Sequence, residues 1–387
     1  MTANGAKDLR GRVAVVGVGT TPQGELPGRS GDEIAIEAFR LALEDARIDK
    51  SEIDGLITCK SFGGGGIDTE IGRLAGLNPS YSATLDYGTC NFSLHLAVMA
   101  IAAGFARTIA LMYGTNQRSA GNRFRVIPGS SMLGSLALPY GFINVAGPAA
   151  LAFRRHQHLY GTTERQLGMI AVTLRQYARL NPLAVFQDPL TIDDYMASRY
   201  IVRPLRRPDI CMISDGGACL IVTDRDRARD CPKPPVYVLG MAQQTALREY
   251  ENQDQLMRPW IRSVADRVFR NAGIGRDEID VLFVQDATSV WILQMLELFG
   301  FCGEGEVGPF LESGAIGLGG SLPVNTNGGQ LSESYMWGWL HLAEAVRQLR
   351  GESGERQVRG AQVAQYCSSM AFQKAASSIL GGPNTLG

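Results

Sequence analysis

The segment Leu85-Asp86-Tyr87-Gly88-Thr89-Cys90-Asn91 joins a short extended stretch to the apolar, helix-forming run SLHLAVMAIAAG. A side chain at a helix N-terminus faces unpaired N–H groups and the positive end of the helix dipole, which lower a thiol's pKa and stabilise a developing oxyanion. Cys90 is therefore a candidate nucleophile. The plainer alternative is a small buried residue packing in the first helical turn. A second unusual stretch is GSLPVNTNGGQLSESYMWGWLHLAEAVRQLRG at 320–351. Gly328-Gly329 admits positive φ and close backbone approach, and Ser332 and Ser334 can cap the helix that follows. Asn325, Asn327, Glu333 and Tyr335 gather at that loop-to-helix junction. A solvated loop accounts for the glycines, serines and glutamate, but not for a tyrosine and two asparagines so close together. Gln285-Asp286 ends the apolar run DVLFVQDA, where the C-terminus of a strand faces ligand crevices in α/β folds. A simple turn fits there equally well. Cys367, in VAQYCSSMAF, follows another strand-like run.

Other signals fail on their order. Gly63-Gly64-Gly65-Gly66 and the GVGTT after the first strand lack the spacing of a phosphate loop or a dinucleotide fingerprint. His156 and His158 stand two apart on a helical stretch and point to different faces. None of the seven cysteines forms a CxxC pair, so no metal site is expected. A net charge of −1 gives no basic field for nucleic acid or an acidic membrane. The long apolar stretch Leu94–Met112 carries His95, Gly104 and Arg107 and reads as a core helix and strand, not a membrane span. The N-terminal residues have no apolar signal region, so a cytoplasmic setting with reduced thiols is expected.

The elements that must position these residues repeat. RVAVVGVG, SGDEIAIEAFRLALEDARI and DGLITCKS form a strand, an amphipathic helix and a strand; PVYVLGMAQ, WIRSVADRVFRNAGI and DVLFVQDA do so again. Ile48-x3-Glu52-Ile53-Asp54 recurs as Ile274-x3-Glu278-Ile279-Asp280, and Leu94-His95-Leu96-Ala97 as Leu340-His341-Leu342-Ala343. Two matching pieces in the same order indicate internal duplication. The fold expected is a layered α/β architecture of two halves, 1–230 and 231–387, each with a mixed five-stranded sheet. Residues of about 114–205 form a long insert in the first half, a usual location for substrate sites. A chain of 387 residues, 45% hydrophobic and 19% charged, can fill such a core.

This arrangement, with its helix N-terminus near residue 88 and its Asn-x-x-Gly-Gly loop near 328, resembles the thiolase superfamily. HLYGTTERQLGMIA, DPLTIDDYMASRYIVRPLRRPDICMISDGGACLIVT, FCGEGEVGPFLESG and GGSLPVNTNGGQLSESY are similar to its lipid-transfer, sterol-carrier branch. The resemblance implies an enzyme that makes or breaks carbon–carbon bonds in acyl-CoA substrates. No bound cofactor is implied, coenzyme A being part of the substrate. It also implies a homodimer and a small OB-fold partner bearing a zinc ribbon. Carried over by motif, the thiolase nucleophile position falls on Tyr87, with Cys90 three residues downstream. The histidine after the Gly-Gly loop is matched by Tyr335, a histidine or tyrosine position by Gln285, and the acid/base cysteine by Cys367. Asn327 and Trp337 stand where relatives carry histidine. These departures favour retro-aldol cleavage of a β-hydroxyacyl-CoA, with Tyr335 exchanging the proton and Asn325 and backbone donors stabilising the enolate. The substrate would be held near Gln285, Asp286, Asn327, Gly328 and Gly329. An acyltransferase using Cys90 and Cys367, or a catalytically silent subunit, are the alternatives.

Overall fold

The computed structural model describes residues 7–61, 64–86, 89–121, 139, 144–246, 257–370 and 374–386. Tyr87 lies outside them.

The apolar run after Arg12 becomes β1 (Val13–Thr20), buried along nearly its whole length, as a strand covered on both faces must be. Ser30 caps α1 (Gly31–Ala46) in a reciprocal pair with Glu33. Side chains at Gly17 and Gly19 would overlap the α1 backbone, so these glycines serve close strand–helix packing. The first half continues with β2 (Gly55–Cys59), α2 (Asp68–Ala75), β3 (Tyr81–Leu85), α3 (Cys90–Ala102) and β4 (Thr108–Thr115). The insert holds α4 (Ala146–Tyr160), α5 (Glu164–Arg179), α6 (Ile192–Ala197) and the small pair β5 (Tyr200–Val202) and β6 (Leu205–Arg206). Then come β7 (Gly216–Asp224) and α7 (Arg225–Arg229). The second half contains β8 (Val236–Thr245), α8 (Arg262–Ala272), β9 (Val281–Val284), α9 (Ser289–Leu298), α10 (Val307–Glu312), α11 (Gly329–Ser332), α12 (Trp339–Arg350), β10 (Val363–Met370) and β11 (Lys374–Gly381).

The strands form one mixed sheet in the order β3-β2-β4-β7-β1-β8-β11-β10-β9. The halves run outward in mirrored order from the β1–β8 seam, which is held by the antiparallel pairs Ala14↔Tyr237 and Val15↔Val236. One detail departs from the sequence expectation. Among the described residues the first half contributes five strands to this sheet and the second four, the fifth being reduced to a single parallel bridge between Leu282 and Val324. Pro323 accepts from Leu282 but has no N–H to return, and Asn325 turns left-handed at φ 49°, so the strand stops there.

The helices α3 and α12 carry the repeated Leu-His-Leu-Ala run and fasten the halves together. From α3, the Asn91 amide donates to Tyr366 O, Ser368 Oγ and Ala376 O on β10 and β11. His95 Nε2 meets Ser378 Oγ at 3.0 Å, and burial pushes the imidazole's pKa down to about 4, so it stays neutral. From α12, Arg347 donates to Thr20, and Arg350 to Asp45 and Val16 O, all in the first half. Trp339 is fully buried and stacks on Tyr113 with 5.8 Å between centroids. Truncating such a residue costs about 3–5 kcal/mol. His156, the buried member of the 156/158 pair, bonds Glu297 at 3.0 Å and ties α4 to α9. Among the described residues no helix is long and apolar enough to cross a membrane.

Candidate active site

The loop from 325 to 338 connects the β9 edge to α12, and its path is set by left-handed residues: Asn325 (φ 49°), Gly328 (100°), Gly329 (66°), Trp337 (50°) and Gly338 (81°). A Cβ at Gly328 would strike the α5 backbone at Ala178, and one at Gly329 would strike the Asp286 carboxylate. Only glycine allows that approach. Asp286 accepts from Gln330 N at 2.9 Å, Leu331 N at 3.2 Å and His341 Nε2 at 2.9 Å, so one buried carboxylate anchors both the loop and α12. The same Nε2 meets Val284 O at 2.9 Å; a carbonyl only accepts, so the ring proton lies on Nε2.

The asparagines hold structure. Asn325 Oδ1 accepts from Val284 N at 2.7 Å and its Nδ2 donates to Val284 O at 2.9 Å, replacing the missing strand ladder. Asn325 is thus held at both ends of its amide by the Val284 backbone, which leaves the second Nδ2 N–H for the enolate expected from the sequence. Asn327 donates its amide to Glu333, and its backbone carbonyl accepts from Asn181 Nδ2 at 2.8 Å. Asn181 also donates to Glu333 at 2.8 Å, so the insert docks onto the loop through this carboxylate. Burial, and then the neighbouring Glu344, push Glu333 up to about 7 despite the two amide donors. Gln285 Oε1 accepts from Ser369 N at 3.2 Å.

Tyrosines gather where the loop meets the sheet. Tyr335 is buried, tilts against Trp337 with 5.4 Å between centroids, and donates its backbone N–H to Ser214 Oγ at 3.4 Å. Burial pushes its phenol well above the ordinary tyrosine range, and Cys211, Tyr113, Tyr366 and Cys59 lie close enough to add to the effect. Tyr366, on β10, sets its ring edge-on to His341 at 5.7 Å. Tyr113, on β4, lies beside Thr115, Ser61 and Trp337.

The cysteines do not come together. Cys90 is the first residue of α3, as the sequence suggests, but its N–H points at Trp337 O, 3.4 Å away. Burial raises its thiol well above the usual range, with Cys59 and Cys219 adding to the rise. The helix end is worth a fraction of a pKa unit to about one, whereas full burial shifts a group by up to about 3–5 units, so desolvation wins. Cys367 lies within β10, where successive side chains alternate between faces. Tyr366 and Ser368 turn toward α3 and α12, whereas Cys367 meets Ser377 at 3.6 Å and Ser369 meets Arg258 at 2.8 Å on the other face. Burial pushes the Cys367 thiol up as well.

Several fully buried polar atoms around the loop make no hydrogen bond: both amide ends of Gln330, Ser334 Oγ, Trp339 Nε1, His341 Nδ1 and Tyr366 Oη. Among the described residues no group of three His, Cys, Asp or Glu side chains could hold a metal ion. Asn181, His341, Tyr113 and Tyr366 join the site without having been singled out from sequence. His341 alone had a visible signal, its repetition of His95.

The family model described as thiolase C-terminal domain-like matches residues 242–382. The steroid side-chain-cleaving aldolase of Thermomonospora curvata is 35% identical, covering 89% of this chain and 92% of its own. The 17-hydroxy-3-oxo-4-pregnene-20-carboxyl-CoA lyase of Mycobacterium tuberculosis is 36% identical over 89% and 93%. Among solved structures, the Ltp2-ChsH2(DUF35) aldolase superposes with a TM-score of 0.90 at 32% identity, covering 97% of this chain and 99% of its own. The chain belongs to the thiolase superfamily.

Proposed function

We propose that this enzyme cleaves a carbon–carbon bond in a β-hydroxyacyl-CoA by retro-aldol chemistry, releasing a carbonyl compound and a shortened acyl-CoA. The observation that carries the reading is the separation of the thiols. An acyl-enzyme route needs an activated cysteine and a second acid/base group facing the same acyl carbon. Here Cys367 points to the face of β10 away from the helix that Cys90 opens, and burial raises both thiols as it raises Tyr335. The tyrosines instead share one face of the site with Asp286 and His341. Relatives over a third identical carry the names of a side-chain-cleaving aldolase and a carboxyl-CoA lyase.

In the forward direction, the small fraction of Tyr335 present as phenolate removes the β-hydroxyl proton, burial keeping most of the phenol protonated. The oxygen lone pair becomes the carbonyl π bond, and the electrons of the broken bond pass to the α-carbon as the thioester enolate, which is then protonated. Asp286 fixes the loop that presents Tyr335, and Glu333 with Asn181 and Asn327 clamps that loop to the insert.

The working assembly is a homodimer joined at β3. This strand ends the sheet with its backbone edge open and its side chains half-exposed. Ile67, Leu74, Met99 and Phe105 around it are exposed apolar residues, and a twofold partner would pair β3 with itself and cover them. A small OB-fold partner with a zinc ribbon completes the complex; the similar aldolase structure is named for two components. Seven free thiols suit the cytoplasm.

The test is product analysis on a panel of β-hydroxyacyl-CoA esters without free CoA. A lyase forms a carbonyl compound and a shorter acyl-CoA under these conditions. Cleavage of β-ketoacyl-CoA that depends strictly on added CoA would overturn the reading.

A further inference from the structure

Both central helices direct their N-termini at the tyrosine cluster, and the two ends are furnished differently. At α3 the Cys90 N–H already meets the Trp337 carbonyl. At α12 the N-cap is Gly338, left-handed and without a side-chain cap, and the N–H of Trp339 meets the Met336 carbonyl at 2.9 Å, so the N–H groups of Leu340 and His341 are the ones left to a ligand. The first N–H groups of a helix have no intrahelical acceptor and, with the helix dipole, attract negative charge. A Cβ at Gly338 would overlap Tyr366 Oη, which places that hydroxyl against the opening turn of α12. Tyr366 is fully buried, and its hydroxyl makes no hydrogen bond of ordinary geometry; Ser368, two residues along the same strand, is near enough to interact.

We propose that Tyr366 Oη and the N-terminus of α12 form the anion site that receives the thioester oxygen of the acyl-CoA as it becomes an enolate. The inference rests on the lyase reading. When the bond between the α- and β-carbons breaks, its electron pair delocalises onto the thioester oxygen. Tyr366 donates a hydrogen bond to that oxygen and keeps its proton, while the α-carbon regains one from the acid formed at Tyr335. Burial holds the Tyr366 phenol protonated, and the charges of Cys90, Asp286 and Cys367 would raise it further, so it remains a donor throughout the working range. His341, fixed by Asp286, braces the ring edge-on and acts as a positioning residue. A hydroxyl aimed where charge develops strengthens its bond in the transition state more than in the bound ester.

The experiment follows deuterium uptake at the α-carbon of acetyl-, propionyl- and butyryl-CoA in D2O, alongside cleavage of β-hydroxyacyl-CoA. It uses the full chain together with any partner that co-purifies. Exchange requires the enolate but no carbon–carbon cleavage. Tyr366→Phe is expected to lower both rates about a hundredfold or more with KM and melting temperature nearly unchanged. Exchange within about threefold of wild type would overturn the anion site. Tyr366→Leu serves as a second variant, expected to match the phenylalanine variant in exchange if the hydroxyl alone matters. Wild-type exchange that is lost in Tyr366→Phe, without cleavage of any β-hydroxyacyl-CoA, would support the anion site and remove the lyase reading. Cleavage unaffected by Tyr366→Phe would do the reverse.

Discussion

Helices α3 and α12 share a Leu-His-Leu-Ala run, are buried on nearly every side, and each reaches from its own half to grip the other. Their histidines show the first divergence. His95 is pushed down to about 4 and bonds the Ser378 hydroxyl across the seam, whereas His341 holds a carboxylate beside the loop of 325–338. Their N-termini show the second. A cysteine begins α3 but lies under a backbone carbonyl, and α12 opens behind a glycine onto a tyrosine hydroxyl. A helix N-terminus is thus a generic offer of positive potential, and the group that occupies it decides whether chemistry follows. The same duplicated scaffold carries a sealed thiol at one end and a phenol cluster at the other.

The largest effect that could break this contrast is at Tyr335. Tyr335→Phe removes a hydroxyl and little packing, so turnover should fall about a hundredfold to ten-thousandfold with the melting temperature unchanged. Because burial raises this phenol, its phenolate fraction grows through the neutral range. The kcat/KM of the wild type should rise about tenfold per pH unit across that range, and a flat profile would remove Tyr335 as the base. Asp286→Asn sharpens the comparison from the α12 side. It weakens charge-assisted bonds to two loop amides and to His341, and should cost about 2–3 kcal/mol in denaturant unfolding. A smaller effect concerns Glu333. Its folded pKa of about 7 lies above the ordinary value of 4.5, so the folded state binds more protons between them. The contribution to stability is therefore complete below about 4.5 and lost as pH rises through about 7. The wild type should lose melting temperature across that window, and Glu333→Gln should flatten the slope.

Much of this was legible before any coordinates. Continuous β-branched runs, capped amphipathic helices and the repeated Leu-His-Leu-Ala text reflect local rules, and they specify two similar halves with a helix starting near Asn91. The loop from Asn325 to Tyr335 was visible as an improbable concentration of polar side chains beside two glycines. What sequence could not show depends on long-range pairing. Asn325 looks free until Val284 is placed beside it. Cys367 looks catalytic until strand parity turns its thiol away from α3. The fifth strand of the second half vanishes because Pro323 and a left-handed Asn325 end it, a competition that apolar patterning does not register. Tyr366 read as one more residue in an apolar strand, since the helix end it faces arrives from a distant part of the chain.

The smallest expected effect gives the most direct test of the central claim, that chemistry belongs to the tyrosine cluster and not to the α3 thiol. Wild type and Cys90→Ala would be mixed with a cleavable β-hydroxyacyl-CoA, quenched during turnover, and analysed by intact-mass spectrometry together with the rate of product formation. The account predicts no acyl adduct on the wild-type chain and a Cys90→Ala rate within about threefold of it, at a stability cost of about 1 kcal/mol. An adduct on Cys90 that appears and decays at the turnover rate, with Cys90→Ala inactive, would contradict it.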